Sequence, residues 1–184
     1  MAFVIPAVDN MVYVALFGIV LLACAAPWLV LRRDGPARAF RNMALAAVLI
    51  VPVMAALGYT VSDNVLRVED GRLLLQAGHF YEQERSLDDF DLQRARAGTY
   101  GSLGTDPLGT RSSGISFPGY AAGRFSGPGK SVVFALLTDR SRVVWLPART
   151  GPDLLFSVEE PERFLATLRA WRSGARPLTP SLPQ

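Results

Sequence analysis

Apolar and polar positions divide the chain into three stretches of different periodicity. Two runs, Met11 to Leu31 and Met43 to Val61, are apolar on every helical face and carry no charged side chain. As helices they would extend ~31 and ~28 Å, enough for a hydrocarbon core of ~30 Å. A helix apolar all round is no amphipathic surface helix, so both runs are expected to be transmembrane helices. Pro27 and Pro52 are tolerated there. Trp28 and Tyr59 fall near run ends, where amphipathic rings favour the membrane interface.

From residue 62 the pattern becomes that of strands. VLRVED and RLLLQAG flank Asp70-Gly71, a hairpin signal. HFYEQERSL is a third strand, and DDFDLQRARA (88–97) reads as a short strand or a helical turn. Residues 98–129 hold nine glycines and read as a long loop, with one or two short strands within 111–125. SVVFALLTD (131–139), RVVWLPAR (142–149) and PDLLFSV (152–158) are further strands, with a turn at Asp139-Arg140-Ser141 and an edge or an end at Pro147. The period then changes to that of a helix. Ser157 and Glu160 have capping-box spacing, Pro161 suits a first turn, and Phe164, Leu168 and Trp171 form one stripe ending near Gly174. The Pro-rich tail, 174–184, is expected to be disordered.

Composition sharpens this division. The chain has 184 residues, 50% hydrophobic and 19% charged, where soluble domains carry about 25% charge. The deficit lies in the first third, which excludes an ordinary soluble enzyme, a disordered charged tail and a disulfide scaffold. Between the apolar runs, residues 32–42 set Arg32, Arg33, Arg38 and Arg41 against Asp34. In so short a loop they read as a topology signal that places it in the cytoplasm and both chain ends opposite. Residues 62–184 are nearly neutral, with 15 Lys and Arg against 14 Asp and Glu, a balance that argues against nucleic acid. Cys24 is the single cysteine, so no disulfide forms within the chain. LLAC around it looks like a lipoprotein box, but no cationic segment precedes it and the apolar run continues to Leu31, as in an uncleaved anchor.

Candidate chemistry is sparse. GPGKS (127–131) ends like a phosphate loop, but Arg124 stands where the pattern needs glycine and a strand follows, so it reads as a turn. Asp88, Asp89 and Asp91 cluster as a solvated junction, and His79, the only histidine, lacks companions for a metal site or a triad. No catalytic, metal or cofactor residue is assigned. The best candidate is a binding loop of Arg111, Phe117, Tyr120, Arg124, Phe125 and Lys130, combining aromatics and cations among glycines. The same aromatics could instead cover the core.

The ordered words VLRVEDGRLLLQAGHFYEQERSLDDF, GISFPGYAAGRF, SVVFALLTDRSRVVWLPA and LLFSVEEPERFLATL, after two apolar runs, resemble the bacterial pleckstrin-homology (PH) domain family. The resemblance covers roughly residues 62–172, and SFPGYAAGRF and LLFSVEEPERFL are its most specific stretches. It implies a membrane-anchored α+β protein: a segment 1–10, transmembrane helices 11–31 and 43–61 around the 32–42 loop, then a PH-like small antiparallel β-barrel over 62–173 capped by one C-terminal helix. The expected function is non-enzymatic: a bacterial plasma-membrane protein displaying this domain on the extracytoplasmic side for a protein partner or for self-association. The alternatives are recognition of anionic lipid headgroups through Arg111, Arg124 and Lys130, and service as an accessory subunit of a membrane enzyme or transport complex.

Overall fold

The structure, a computed structural model, describes residues 2–31, 35–78, 81–104 and 108–173. Two helices, α1 (Asn10–Leu31) and α2 (Pro36–Ser62), pack against each other as a hairpin. The less exposed side of α2 carries Ala39, Ala46, Ala47 and Gly58, and that of α1 carries Ala15, Gly18 and Ala23. Such small residues let helix backbones approach closely where no water drives association. The outer sides expose Val14, Phe17, Leu22, Leu45, Val48 and Leu49.

The expectation of two transmembrane helices is corrected here. Among the described residues one helix is long and apolar enough to cross a membrane, Pro36–Tyr59, with none of its apolar window buried in the protein. The other apolar stretch, Asn10–Ala26, is shorter, about 25 Å. Its first turns also belong to the domain: Val12 and Leu16 are buried in the same cluster as Val61, Leu66 and Tyr120. Helix α2 in turn begins before the apolar boundary. Pro36 starts it, and it absorbs Arg38 and Arg41 from the expected loop because helix propensity does not stop where apolarity does. Arg32 and Arg33 lie outside the described residues.

Among the described residues ten strands form two sheets. Strands β1 (Ala2–Phe3), β2 (Asn64–Glu69), β3 (Arg72–Ala77) and β4 (Tyr81–Ser86) are ordered 1-2-3-4 and are antiparallel. The β2–β3 turn places Asp70 at φ 48° and Gly71 at φ 74°, as a two-residue primed turn requires. Strands β5 (Arg96–Gly98), β6 (Arg111–Phe117), β7 (Tyr120–Ser126), β8 (Val132–Leu137), β9 (Val143–Leu146) and β10 (Asp153–Ser157) are ordered 5-9-10-8-7-6.

This second sheet overturns the small antiparallel barrel of the PH type. Strands β8 and β9 are not neighbours: β10 lies between them, antiparallel to β9 and parallel to β8. The reason lies in DLLFS. Leu154 and Phe156 face one apolar cluster and Leu155 the other, and a strand buried on both faces belongs in a sheet's interior. Ser157 closes the crossing: its Oγ accepts from the N–H groups of Thr138 and Asp139 at 3.1 and 3.0 Å and donates to the Asp139 carbonyl at 2.7 Å. It therefore forms no capping box. The N-cap of α3 (Pro161–Arg172) is Glu160, without a side-chain cap.

Helix α3 buries Phe164, Leu165 and Leu168, with Phe164 edge-on to Phe3 and Phe156. Arg169 and Arg172 donate to the carbonyls of Leu92, Ala95 and Phe90. The ambiguous 88–97 stretch resolves into a 3-10 turn (Leu87–Asp89), a bridge from Phe90 to Ala148, and β5. Residues 174–184, His79 and Phe80 lie outside the described residues.

Candidate functional site

The expected binding loop is a β-hairpin. Strands β6 and β7 meet at Pro118-Gly119, with Phe117 opposite Tyr120 and Gly114 opposite Gly123. The glycine pair is required. Gly123 has φ 120°, and a Cβ there would lie 2.3 Å from the Ser113 carbonyl oxygen, a clash that also falls in backbone space side chains avoid.

The hairpin separates the six candidate residues. Tyr120 and Phe125 are buried, in the clusters on opposite faces of the sheet, and Phe117 packs half-buried against the first. Burial pushes the Tyr120 phenol well above its ordinary range, helped by nearby Tyr81 and Tyr13. These aromatics are core. Arg111 and Arg124 are exposed, and Arg124 lines a recess of about 230 Å³ with Tyr81, Glu82, Ser113 and Phe134. The Lys130 backbone lies in the short 3-10 turn Pro128–Lys130 that feeds β8. Of the proposed constellation, the structure therefore leaves two cations near the open end of one strand pair.

What the loop reading missed is the edge. Among the described residues strand β6 ends its sheet and pairs only with β7. Arg111, Ser112, Ser113 and Ser116 are exposed along it. A strand edge offers backbone groups, not a motif, so the polar text RSSGIS gave little sign of it.

A second feature lies where the sheets meet the helices. Asp9 begins α1: its carbonyl accepts from Val12 N–H, and its Oδ1 accepts from Met11 N–H at 2.9 Å. The β6–β7 turn rests on it, since a Cβ at Gly119 would lie 3.4 Å from Val12 and 3.6 Å from Asp9. The Thr138–Ser141 corner completes a recess of about 400 Å³. Burial works against ionisation of Asp139, but hydrogen bonds from Ser141 and the Arg142 guanidinium prevail and hold the carboxyl below its ordinary value. The Arg140 guanidinium lies over the Tyr100 ring at 5.0 Å.

A third feature ties the sheets together. Arg85 of β4 pairs with Asp89 at 2.9 Å, donates to the Thr150 carbonyl and lies over Phe90 at 5.3 Å. Asp88 is exposed and Asp91 accepts from Gln93 N–H. The described residues contain no group of three or more His, Cys, Asp and Glu able to hold a metal ion.

Fold and site together define an α+β protein in which an apolar helix hairpin is joined to two sheets, the larger ending, among the described residues, in β5 on one side and β6 on the other. Comparison of the chain with family models, characterised proteins and solved structures found no match to any of them.

Proposed function

We propose that the chain is a non-enzymatic, membrane-anchored interaction module of the bacterial plasma membrane. In this reading α2 holds the β domain at the bilayer, with α1 packed alongside. The β6 edge takes up an extended segment of a protein partner or of a second copy. The observation that carries the reading is β6 itself, seven residues long and, among the described residues, paired on one side only. Strand addition uses main-chain hydrogen bonds for affinity and alternate side chains for register. Arg38 and Arg41 stand at the start of α2, and β2 follows directly at its other end. A cationic flank on the cytoplasmic side would put the domain on the extracytoplasmic side.

The headgroup reading of Arg111, Arg124 and Lys130 has less support. Arg124 is five positions along β7 from Gly119, the turn that touches α1, or about 17 Å of strand.

Two experiments test the proposal on the full chain in native membranes. A photo-crosslinking residue at Ser113 should trap a partner, with the exposed Glu162 of α3 as the control position. Ser116→Lys should abolish that adduct, since a charged edge blocks strand pairing. Equal adducts at both sites, or indifference to the lysine, would remove the edge from the proposal. An alkaline phosphatase reporter after Gln184 should be active, and an inactive one would reverse the orientation.

A further inference from the structure

We propose that the segment taken up by the β6 edge is acidic, and that Arg124 receives a carboxylate side chain of that segment in the row that runs through Ser113. The inference rests on the strand-addition reading and adds the partner's chemistry and register to it.

Strand alternation places the groups. Along β7, Tyr120 and Ala122 face the core shared with the smaller sheet, while Ala121 and Phe125 face the opposite cluster, so Arg124 projects on the side of the first pair. Register carries this across the sheet. Phe134 of β8 stands opposite Arg124, and Arg124 stands opposite Ser113 of β6. Directly opposed residues of neighbouring strands share a face. The next member of this row comes from whatever strand is added to β6, two strand spacings or about 10 Å from Arg124. Between them lies one serine, too short to obstruct an arginine that leans across it. A recess of about 230 Å³ follows the row: Phe134, Arg124 and Ser113 line one side, Tyr81 and Glu82 of β4 the other.

Charge selects the occupant. Residues 111–126, the whole β6–β7 hairpin, contain Arg111 and Arg124 and no carboxylate side chain. Arg124 is exposed, and among the described residues its guanidinium has no ion pair or hydrogen bond. Glu82 does not neutralise it. Tyr81 packs against the core, so alternation turns the next side chain, Glu82, to the wet face of the smaller sheet. A carboxylate opposite Ser113 on an added strand would meet the guanidinium, with the Ser113 hydroxyl beside it as a further donor. A second copy of β6 brings another arginine and no carboxylate, so charge favours a different, acidic partner.

The test is fluorescence anisotropy of labelled heptapeptides titrated with the full chain in detergent. The host peptide alternates threonine and valine, is blocked at both ends, and carries glutamate, glutamine or lysine at its centre. A fourth peptide has the sequence of residues 111–117. The glutamate peptide should bind at least about tenfold more tightly than the glutamine peptide, as expected for one charge-assisted hydrogen bond, and the lysine peptide should bind most weakly. Arg124→Gln should erase the preference and Arg124→Glu should reverse it, both without lowering Tm because Arg124 is exposed. Equal binding of the glutamate and glutamine peptides, or a preference that survives Arg124→Gln, overturns the proposal. Tighter binding of the 111–117 peptide than of the glutamate peptide overturns it in favour of a second copy. Ser116→Lys separates this proposal from the reading beneath it. Host peptides that bind alike and are all blocked by that substitution leave strand addition standing and defeat the acidic partner. Binding that ignores the substitution, or no binding by any peptide, defeats both.

Discussion

The two sheets obey different rules. In the four-stranded sheet one face is buried and the other is polar: Leu66, Val68, Leu73 and Leu75 point inward, while Arg67, Glu69, Arg72 and Glu84 are exposed. In the middle of the six-stranded sheet no such face exists. Residues 133–138, along β8, and 154–158, along β10, are buried without interruption. The first sheet shields one core. The second separates two, with Phe134, Leu136 and Phe156 on one side and Val133, Ala135 and Leu155 on the other. A one-sided sheet can relax toward water when damaged. A two-sided one cannot, so its substitutions should cost more and spread to both clusters.

Denaturant unfolding of the full chain in detergent would put numbers on this contrast. Phe156→Ala, at the centre of the larger sheet, should cost about 3–5 kcal/mol. Gly123→Ala forces a Cβ against backbone at a positive φ and should cost at least ~2 kcal/mol, with loss of the hairpin. Leu75→Ala in the smaller sheet should fall at about 2–3 kcal/mol, the lower part of the range for buried leucines. A cost for Leu75→Ala equal to that of Phe156→Ala would erase the distinction. Ser157→Ala leaves the N–H groups of Thr138 and Asp139 without their acceptor and should cost ~1–3 kcal/mol for each group left buried. On the polar face, breaking Arg72–Glu84, both largely exposed, should cost under ~1 kcal/mol.

The smallest effect is one of pH. The carboxyl of Asp139 is held below its ordinary value of 3.8. Its stabilisation is therefore complete above that value and is lost as the pH falls through the lower folded value. Asp139→Asn should lower neutral stability by the small amount that the wild type loses on acidification, and so flatten the acid limb of a stability-against-pH curve below about pH 4. An unaltered acid limb would show that Ser141 and Arg142 do not stabilise the ionised form.

The same contrast explains what could be read from the chain. Alternation in VLRVED and RLLLQAG, with Asp-Gly between them, fixes both strands and their turn because one face is wet. The stripe of Phe164 and Leu168 likewise marks α3, and both residues are buried there. SVVFALLTD and PDLLFSV are recognisable as strands, but continuous apolarity does not name a strand's neighbours. The insertion of β10 between β8 and β9 was therefore invisible. Ser157 looked like a cap because spacing cannot distinguish a helix start from a sheet crossing. The apolar run from Met11 hid a double role, since Val12 and Leu16 are as apolar for a domain core as for lipid. The candidate loop failed for a similar reason. Tyr120 and Phe125 suit an interface or an interior equally well, and only the pairing of β6 with β7 decides between them.

The join between α2 and β2 has a mechanical consequence. Ser62 bonds back to the Tyr59 carbonyl, Asn64 to that of Val61, and Asn64 is already the first residue of β2. No slack separates helix from strand, and β1 clamps the chain's other end to the same strand. The domain is thus geared to the helix: rotation or tilt of α2 about its axis swings the β6 edge around with it. One residue inserted after Ser62 would add the slack that this join lacks and loosen the coupling between the tilt of α2 and the aim of the β6 edge.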